Sequence, residues 1–463
     1  MQKAEGDLFG KIYEYFLNKF AMTGAQEGGE FFTPMSLVQT IVNVIEPRQG
    51  TILDPATGSA GMFVQTGYFI ENRGDNPAEK VTFYGQEKAE LNTRIAKMNM
   101  AVHGLEGFIL EGNTFYEDKH NLVGKCDHVM ANPPFNVDGV DKDKDSVKKD
   151  PRLPFGLPKN DNANYLWIQY FYSYLKPTGR AGFVMASSAS DAGYSEKDIR
   201  EKLVKTGAVD VMMAIGNNFF YTRSLPCTLW FFDRAKEKDS DRKDKVLMLD
   251  ARKIYRKVTS KINDFSPEQL LNLMCIVNLY RGNSEMLKNT IGDYLNTAAG
   301  FARQTAEAEN ELQQILKSIT GNAGIKTVCE SLYQNLQALE DWDDVIMKQT
   351  GLIDLAKNTV PDGRELENLA TSARALRKPQ DKLIKQLLDS VTNAQKEFQL
   401  AKNAAWKELN LPKDRNPGLK EQLDRLKLVQ LKLSGNPDEE EPGLLHDTEY
   451  FWKQAHKLQT WFP

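Results

Sequence analysis

Thr51-Ile-Leu-Asp-Pro-Ala-Thr-Gly-Ser-Ala-Gly61-Met-Phe63 decides the fold. Thr51 to Leu53 is a short apolar run that ends in an acid, Asp54. A turn of glycines and small residues follows, and a helix is expected from about Ala60. Gly58 and Gly61 remove side chains where a ligand would meet backbone N–H groups at a helix N-terminus. Asp54, at the strand end, is poised to accept hydrogen bonds. An ordinary strand–turn–helix has the same residues, since small residues are common in turns, so the flanking sequence has to arbitrate.

Downstream, short apolar runs alternate with helical segments. The runs are Thr82–Gln86, Phe108–Leu110, Cys126–Ala131, Ala181–Ser187, Val209–Ile215, Cys227–Phe232 and Val246–Leu249, with a helix expected over Ala89–Val102. Strands alternating with helices predict an α/β fold with a mostly parallel sheet. Glu87 ends the second run, where an acid commonly takes ribose hydroxyls; it lies somewhat farther past Gly61 than the usual interval of about 20 residues. A surface or capping Glu is the competing reading. Asn113, in Glu111-Gly-Asn-Thr-Phe115, has the groups to bond a purine edge, and reads equally as an Asn turn. Upstream, Gly6 to Met22 carries Leu8, Ile12, Tyr15, Phe16 and Phe20 on one helical face. Thr33-Pro34 reads as an N-cap and first helical residue ahead of Leu37, Val38, Ile41, Val42 and Ile45.

The most chemically specific element is Cys126-Asp-His-Val-Met-Ala-Asn132-Pro-Pro-Phe135. Two consecutive prolines end the strand and fix the backbone, leaving carbonyls that no sheet partner takes. The Asn132 amide oxygen and the Pro133 carbonyl can accept both hydrogens of one planar amino group, and Pro134 holds the turn. Phe135 offers a face on which a base can stack. Such a pair of acceptors builds electron density on a weakly nucleophilic NH₂ and readies it for an electrophilic methyl group.

Two stretches of mixed charge, Asp138 to Asp150 and Arg234 to Lys245, read as solvated loops, the first also as a mobile loop over a site. After about Phe301 strand signals vanish. Gln380 to Asn410, with Ile384, Leu388, Val391 and Phe398, is expected as a helix broken off by Pro379, and Gly418 to Leu433 as another. The ending Trp-Phe-Pro463 reads as a cut end. The chain has 463 residues, more than one core usually organises, so at least two units are expected. No apolar run is long enough to span a bilayer, giving a cytoplasmic expectation with no membrane partner. Four cysteines and five histidines lack ligand spacing, so no disulfide framework and no metal are expected. The phosphate cradle G-x-x-x-x-G-K-[ST] is absent. A net charge of −4 argues against a surface that binds polyanions everywhere.

With Asp54-Pro-Ala-Thr-Gly-Ser-Ala-Gly61 followed by Asn132-Pro-Pro-Phe135, the chain resembles S-adenosylmethionine-dependent amino-methyltransferases that act on N6 of adenine in DNA, in the motif order of their gamma class. More closely, it resembles the modification subunit of type I restriction–modification enzymes. Leu8–Ala21, Gly29-Glu-Phe-Phe-Thr-Pro34, Glu111-Gly-Asn-Thr114, Gly179–Met185, Asn218-Phe-Phe-Tyr221 and Val246–Arg252 carry that likeness over residues 5–265. The resemblance implies a Rossmann-like methyltransferase sheet with flanking helices, followed by a mainly α-helical C-terminal region. It implies three parts: a helical lead-in over 1–46, the methyltransferase domain over 47–265, and a region for subunit association over 266–463. It implies S-adenosylmethionine as cofactor, with Phe31, Thr33 and Pro34 bordering its adenine and methionine portions. Asp54, Gly58, Ser59 and Gly61 would line its methionine side, Glu87 its ribose and Asn113 its adenine. Asn132, Pro133, Pro134 and Phe135 would hold an adenine flipped out of DNA. The implied partners are DNA, a specificity subunit, a second modification subunit and a restriction subunit.

Two other readings stay open. One is methylation of another planar nitrogen, a protein glutamine amide or an RNA guanine N2. The other is a clamp or assembly subunit with a vestigial cofactor site. Family members carry a helical domain ahead of the Gly6–Met22 segment, and none stands there, so the chain is expected to be a fragment or to depend on another polypeptide.

Overall fold

The computed structural model describes residues 33–159, 161–220, 224–318, 323–338, 342–409, 417–436 and 441–460. The lead-in helix expected over Gly6–Met22, Phe31 and Tyr221 lie outside them. The chain divides into two compact units after Tyr280.

The first unit is a three-layer α/β/α structure. Its longer helices are α1 (Met35–Ile45), α2 (Gly61–Glu71), α3 (Glu90–Val102), α4 (Asn164–Tyr174), α5 (Tyr194–Lys205) and α6 (Pro267–Tyr280). Its main sheet has strands β1 (Gly50–Asp54), β2 (Val81–Glu87), β3 (Gly107–Glu111), β4 (Cys126–Ala131), β5 (Leu175–Ala186), β6 (Val209–Ile215), β7 (Cys227–Asp233) and β8 (Leu247–Asp250). The spatial order is β3-β2-β1-β4-β5-β7-β6-β8. The first five of these are mutually parallel. β7 runs antiparallel to both β5 and β6. This is the doubly wound, Rossmann-like sheet expected from the sequence. Strand order reverses between β1 and β4, where Leu53 pairs with Val129.

Both faces are covered. At Gly182 in β5 a Cβ would come within 2.9 Å of Ile41 and Ile45, so the absent side chain is what seats α1 on the sheet. The next residue, Phe183, points to the other face and meets Phe171 of α4, ring centroids 4.5 Å apart. Residues Tyr165 to Phe171 of α4 are buried without exception. Each large side chain buried there contributes about 1.5–3 kcal/mol relative to exposure. That all-round burial erases the helical period a surface helix shows, which is why α4 escapes a reading by periodicity.

Several sequence expectations need correction. Pro34 is itself the N-cap residue of α1, its carbonyl accepting from Leu37 and Val38 N–H, so Thr33 does not cap. Helix α6, expected in the C-terminal region, packs on α1 and belongs to the first unit. The charged stretches are only partly solvated. Val147, Lys236 and the Asp150–Arg152 ion pair are buried, and Lys236 Nζ donates to the carbonyls of Gly207 and Val209 at 2.8 Å.

The second unit is built from helices α7 (Glu285–Ser318), α8 (Ala323–Gln337), α9 (Trp342–Asn358), α10 (Gly363–Leu409), α11 (Pro417–Ser434) and α12 (Leu444–Gln459). Pro379 does not break α10; it lies inside a 47-residue helix about 70 Å long. Proline deprives the Ala375 carbonyl of its usual donor. The buried stripe Leu366, Leu369, Ala373, Leu376, Gln380, Ile384, Leu387, Val391 nonetheless runs straight through it, and packing holds the helix together. Within this stripe Leu387, not Leu388, is the buried leucine. The helix α12 is tied to α10 by Glu449, which lies beside Lys453 (2.5 Å), Arg377 (2.6 Å) and Arg374 (3.2 Å). No helix among the described residues is long and apolar enough to cross a membrane.

Burial alone would raise the Glu449 carboxyl, but hydrogen bonds from Lys453, Arg377 and Arg374 outweigh it and hold the group at about 2. An acid depressed in the folded state adds stability above its ordinary value and loses it as pH falls from about 4.5 towards 2. Glu449→Gln should therefore lower the thermal midpoint at pH 7, and the gap from wild type should narrow between pH 5 and pH 3; a constant gap in thermal scans would refute the assignment.

Candidate active site

The carboxyl ends of β3, β2, β1 and β4 lie side by side and carry Asn113, Glu87, Asp54 and Asn132 in that order. Register makes the alignment close: Asp54 stands opposite Gly85, Glu87 opposite Glu111, and Leu53 opposite Val129. With adjacent strands about 4.8 Å apart, the four positions span roughly 14 Å. They straddle the reversal of strand order, where open α/β sheets form a ligand crevice.

Asp54 is 1% exposed, and its Oδ1 accepts from Ala56 N–H at 3.0 Å. Burial pushes its carboxyl up to about 8; the Ala56 N–H opposes this and the charge of Glu87 adds to it. Glu87 accepts Gly58 N–H on Oε2 at 2.9 Å and Ala89 N–H on Oε1 at 3.0 Å. Each of those oxygens keeps a second lone pair, as a diol ligand requires. The loop between Asp54 and α2 is shaped by left-handed backbone at Gly58 (φ +54°) and Ala60 (φ +64°). A Cβ built on Gly58 or Gly61 meets no atom within 4 Å, so both glycines border open space at the N-terminus of α2. Ser59 is fixed through its carbonyl, which accepts from the buried Asn99 amide at 2.8 Å. Asn113 forms an Asn turn, its Oδ1 accepting Phe115 N–H at 3.1 Å, and still sits beside Glu87's strand.

On the β4 side, Pro133 is buried, Pro134 exposed and Phe135 half-buried. Phe220 meets Phe135 edge-on, centroids 6.1 Å apart at 85°. Thr33 and Pro34 share no hydrogen bond with the other candidates among the described residues; α1 is joined to α2 by Gln39, which donates to Gln65 at 3.4 Å.

Sequence reasoning passed over the residues that hold the Asn132–Phe135 turn. Asn136 adopts φ +55°, and its N–H donates to Asn164 Oδ1 at 2.9 Å while its own Oδ1 accepts from Asn164 Nδ2 at 2.8 Å. Asn164 is 3% exposed and opens α4. The signal was present as Asn162-Ala-Asn164 ahead of an apolar run, a helix-start pattern. Among the described residues no cluster of three or more His, Cys, Asp or Glu is placed to hold a metal ion.

Residues 4–304 match the family model for N-6 DNA Methylase. The type I restriction enzyme MjaIX methylase subunit of Methanocaldococcus jannaschii is 38% identical over 293 residues, 62% of this chain and 51% of the relative. The type I restriction enzyme HindI methylase subunit of Haemophilus influenzae is 35% identical over 272 residues, 58% of this chain and 59% of the relative. The crystal structure of a type I restriction-modification methyltransferase subunit from Streptococcus thermophilus superposes with a TM-score of 0.53 at 26% identity, over 60% of this chain and 58% of its own. This chain thus spans little more than half the length of the curated relatives it matches.

The paired amides give a ranked expectation. Asn164→Ala removes both bonds to Asn136 and should destabilise the first unit by about 2–3 kcal/mol. Asn164→Asp keeps the acceptor for Asn136 N–H and should cost less. Urea denaturation reads the order, and equal effects would count against the clamp.

Proposed function

We propose, since the chain belongs to the N-6 DNA methylase family, that it transfers a methyl group from S-adenosylmethionine to N6 of adenine in DNA, as the modification subunit of a type I restriction–modification complex. The observation that supports this is the adjacency of Asp54 and Asn132 at the ends of two paired parallel strands, so that the proposed cofactor cleft and amino-group acceptor would share one crevice.

The residues suit the cofactor. Gly58 and Gly61 leave room at a helix N-terminus, Glu87 retains acceptors for two hydroxyls, and Asp54 carries a carboxyl that a cationic group would ionise. Phe31, Thr33, Pro34, Ser59 and Asn113 complete the proposed lining. When bound, S-adenosylmethionine supplies an electrophilic methyl group. The chain's own task is to present the nucleophile. The Asn132 amide oxygen and the Pro133 carbonyl accept the two hydrogens of the exocyclic amino group, which enriches its nitrogen lone pair. Phe135 stacks on the extruded base and Phe220 backs Phe135. Proton loss follows transfer, so no charged base is required.

A net charge of −4 fits a division of labour in which a specificity subunit supplies the groove contacts and the sequence readout. A second modification subunit and a restriction subunit would complete the assembly in the cytoplasm. The helical unit, with its 47-residue α10, is the proposed element of subunit association.

Labelled-methyl transfer to DNA, with and without the specificity subunit and followed by identification of the modified base, tests the reading. Asn132→Ala should abolish transfer while calorimetry finds S-adenosylmethionine bound within about threefold of wild type; persistent methylation would sink the site assignment. A second expectation concerns pH. Because the free Asp54 carboxyl titrates at about 8, a cationic ligand that ionises it releases a proton below that pH. Affinity should rise with pH from 6.5 and level off above about 8, and calorimetry in buffers of different ionisation enthalpy should count the proton. Asp54→Asn should bind more weakly and without that slope.

A further inference from the structure

The segment between Phe135 and α4 has the composition of a solvated loop, yet it is anchored by a buried arginine. Asp150 and Arg152 each expose 3% of their side chains. Arg152 Nε donates to Asp150 Oδ1 at 2.9 Å and Nη2 to Oδ2 at 2.7 Å, a two-pronged pair. The remaining donors leave the segment. Nη2 reaches the Thr114 carbonyl at 2.9 Å, and Nη1 reaches Tyr174 Oη at 2.8 Å and, at 3.5 Å, the Glu117 carbonyl. The guanidinium also lies 4.2 Å over the Tyr170 ring of α4. A charge pair this dry survives only when its hydrogen bonds are filled, and here they are filled by groups from β3's trailing turn and from α4.

Those groups belong to the site. Thr114 follows Asn113, and its Oγ1 donates to the Pro55 carbonyl, the residue after Asp54, at 2.6 Å. Glu117's carbonyl also accepts Gln86 Nε2 at 3.0 Å, beside Glu87. A continuous path of bonds therefore runs from the segment after Asn132–Phe135, through Arg152 and Thr114, to the loop that begins at Asp54.

We infer that Arg152 is a positioning residue: it holds the Asn113–Glu117 turn, and through Thr114 the Asp54–Gly58 loop, in fixed relation to the segment that follows Asn132–Phe135. The proposed cofactor side is then braced from the segment that follows Asn132–Phe135. This rests on the methyl-transfer reading above. Lysine keeps the charge but has three donors on a point and no planar fork, so it cannot serve Asp150, Thr114 and Tyr174 together.

The test uses the full chain assembled with its specificity subunit and S-adenosylmethionine as the probe. Arg152→Lys should raise KM for S-adenosylmethionine and weaken its calorimetric binding about tenfold, with kcat within about threefold. A purely structural arginine would lower the thermal midpoint and leave both constants of the folded enzyme unchanged, which overturns the inference. Should Arg152→Lys fail to fold, Thr114→Val cuts the same path at Pro55 while keeping the Thr114 carbonyl. It should weaken binding about threefold or more, and unchanged affinity overturns the inference. A wild-type complex that neither binds the cofactor nor methylates removes the methyl-transfer reading and this inference with it; a wild type that binds while the variants bind equally removes this inference alone.

Discussion

The parallel pairing of β1 with β4 is the constraint on which the molecule depends. β1, β2 and β3 progress outward on one side, and the chain then returns across the sheet to lay β4 and β5 on the other. Two neighbouring strands therefore send their following loops to opposite faces, and a cleft opens between them that no side chain has to carve. Into its rim β1 delivers Asp54 and β4 delivers Asn132. Sliding β4 by one residue would turn Val129 and Ala131 from the α4 core towards the opposite face, so the hydrophobic packing that stabilises the sheet also fixes the spacing across the cleft.

Rigidity at the rim comes from polar contacts over that apolar base. At the ends of β1 and β2 Glu87 ties Gly58 to Ala89, and Asn99 holds Ser59. Past the end of β4 Asn136 and Asn164 exchange two hydrogen bonds across a left-handed backbone position. The loops are short of regular structure but not of partners, and such preorganisation lets binding energy be used on the ligand instead of on ordering the protein.

Much of this was legible in the sequence because the signals are local. The strands Cys126–Ala131 and Val209–Ile215 begin and end where their apolar runs do, and Asp54, Glu87 and Asn132 follow from strand ends alone. What escaped was set by contacts distant in the chain. Helix α4 is buried on every side, so it has no polar face to betray its period. Arg152 and Lys236 sit in stretches whose composition reads as solvated, and their partners come from Thr114, Tyr174, Gly207 and Val209. Pro379 follows a sound local rule that a buried stripe on both sides overrides. The Asn113 turn was readable either as structure or as site, and the strand order, which brings it beside Glu87, is not a local property.

The buried carboxyl of Asp54 has a consequence for the free chain as a material. An acid whose folded value lies at about 8 holds its proton more tightly when folded than when unfolded. Between its ordinary value near 4 and about 8 the folded state binds more protons, so stability declines as pH rises through that window and then levels off. At neutral pH the contribution of this one carboxyl to stability is on that slope and shrinks as pH rises towards about 8. Any ligand that welcomes the ionised carboxyl removes the penalty, and by mass action its concentration then governs how much folded protein persists.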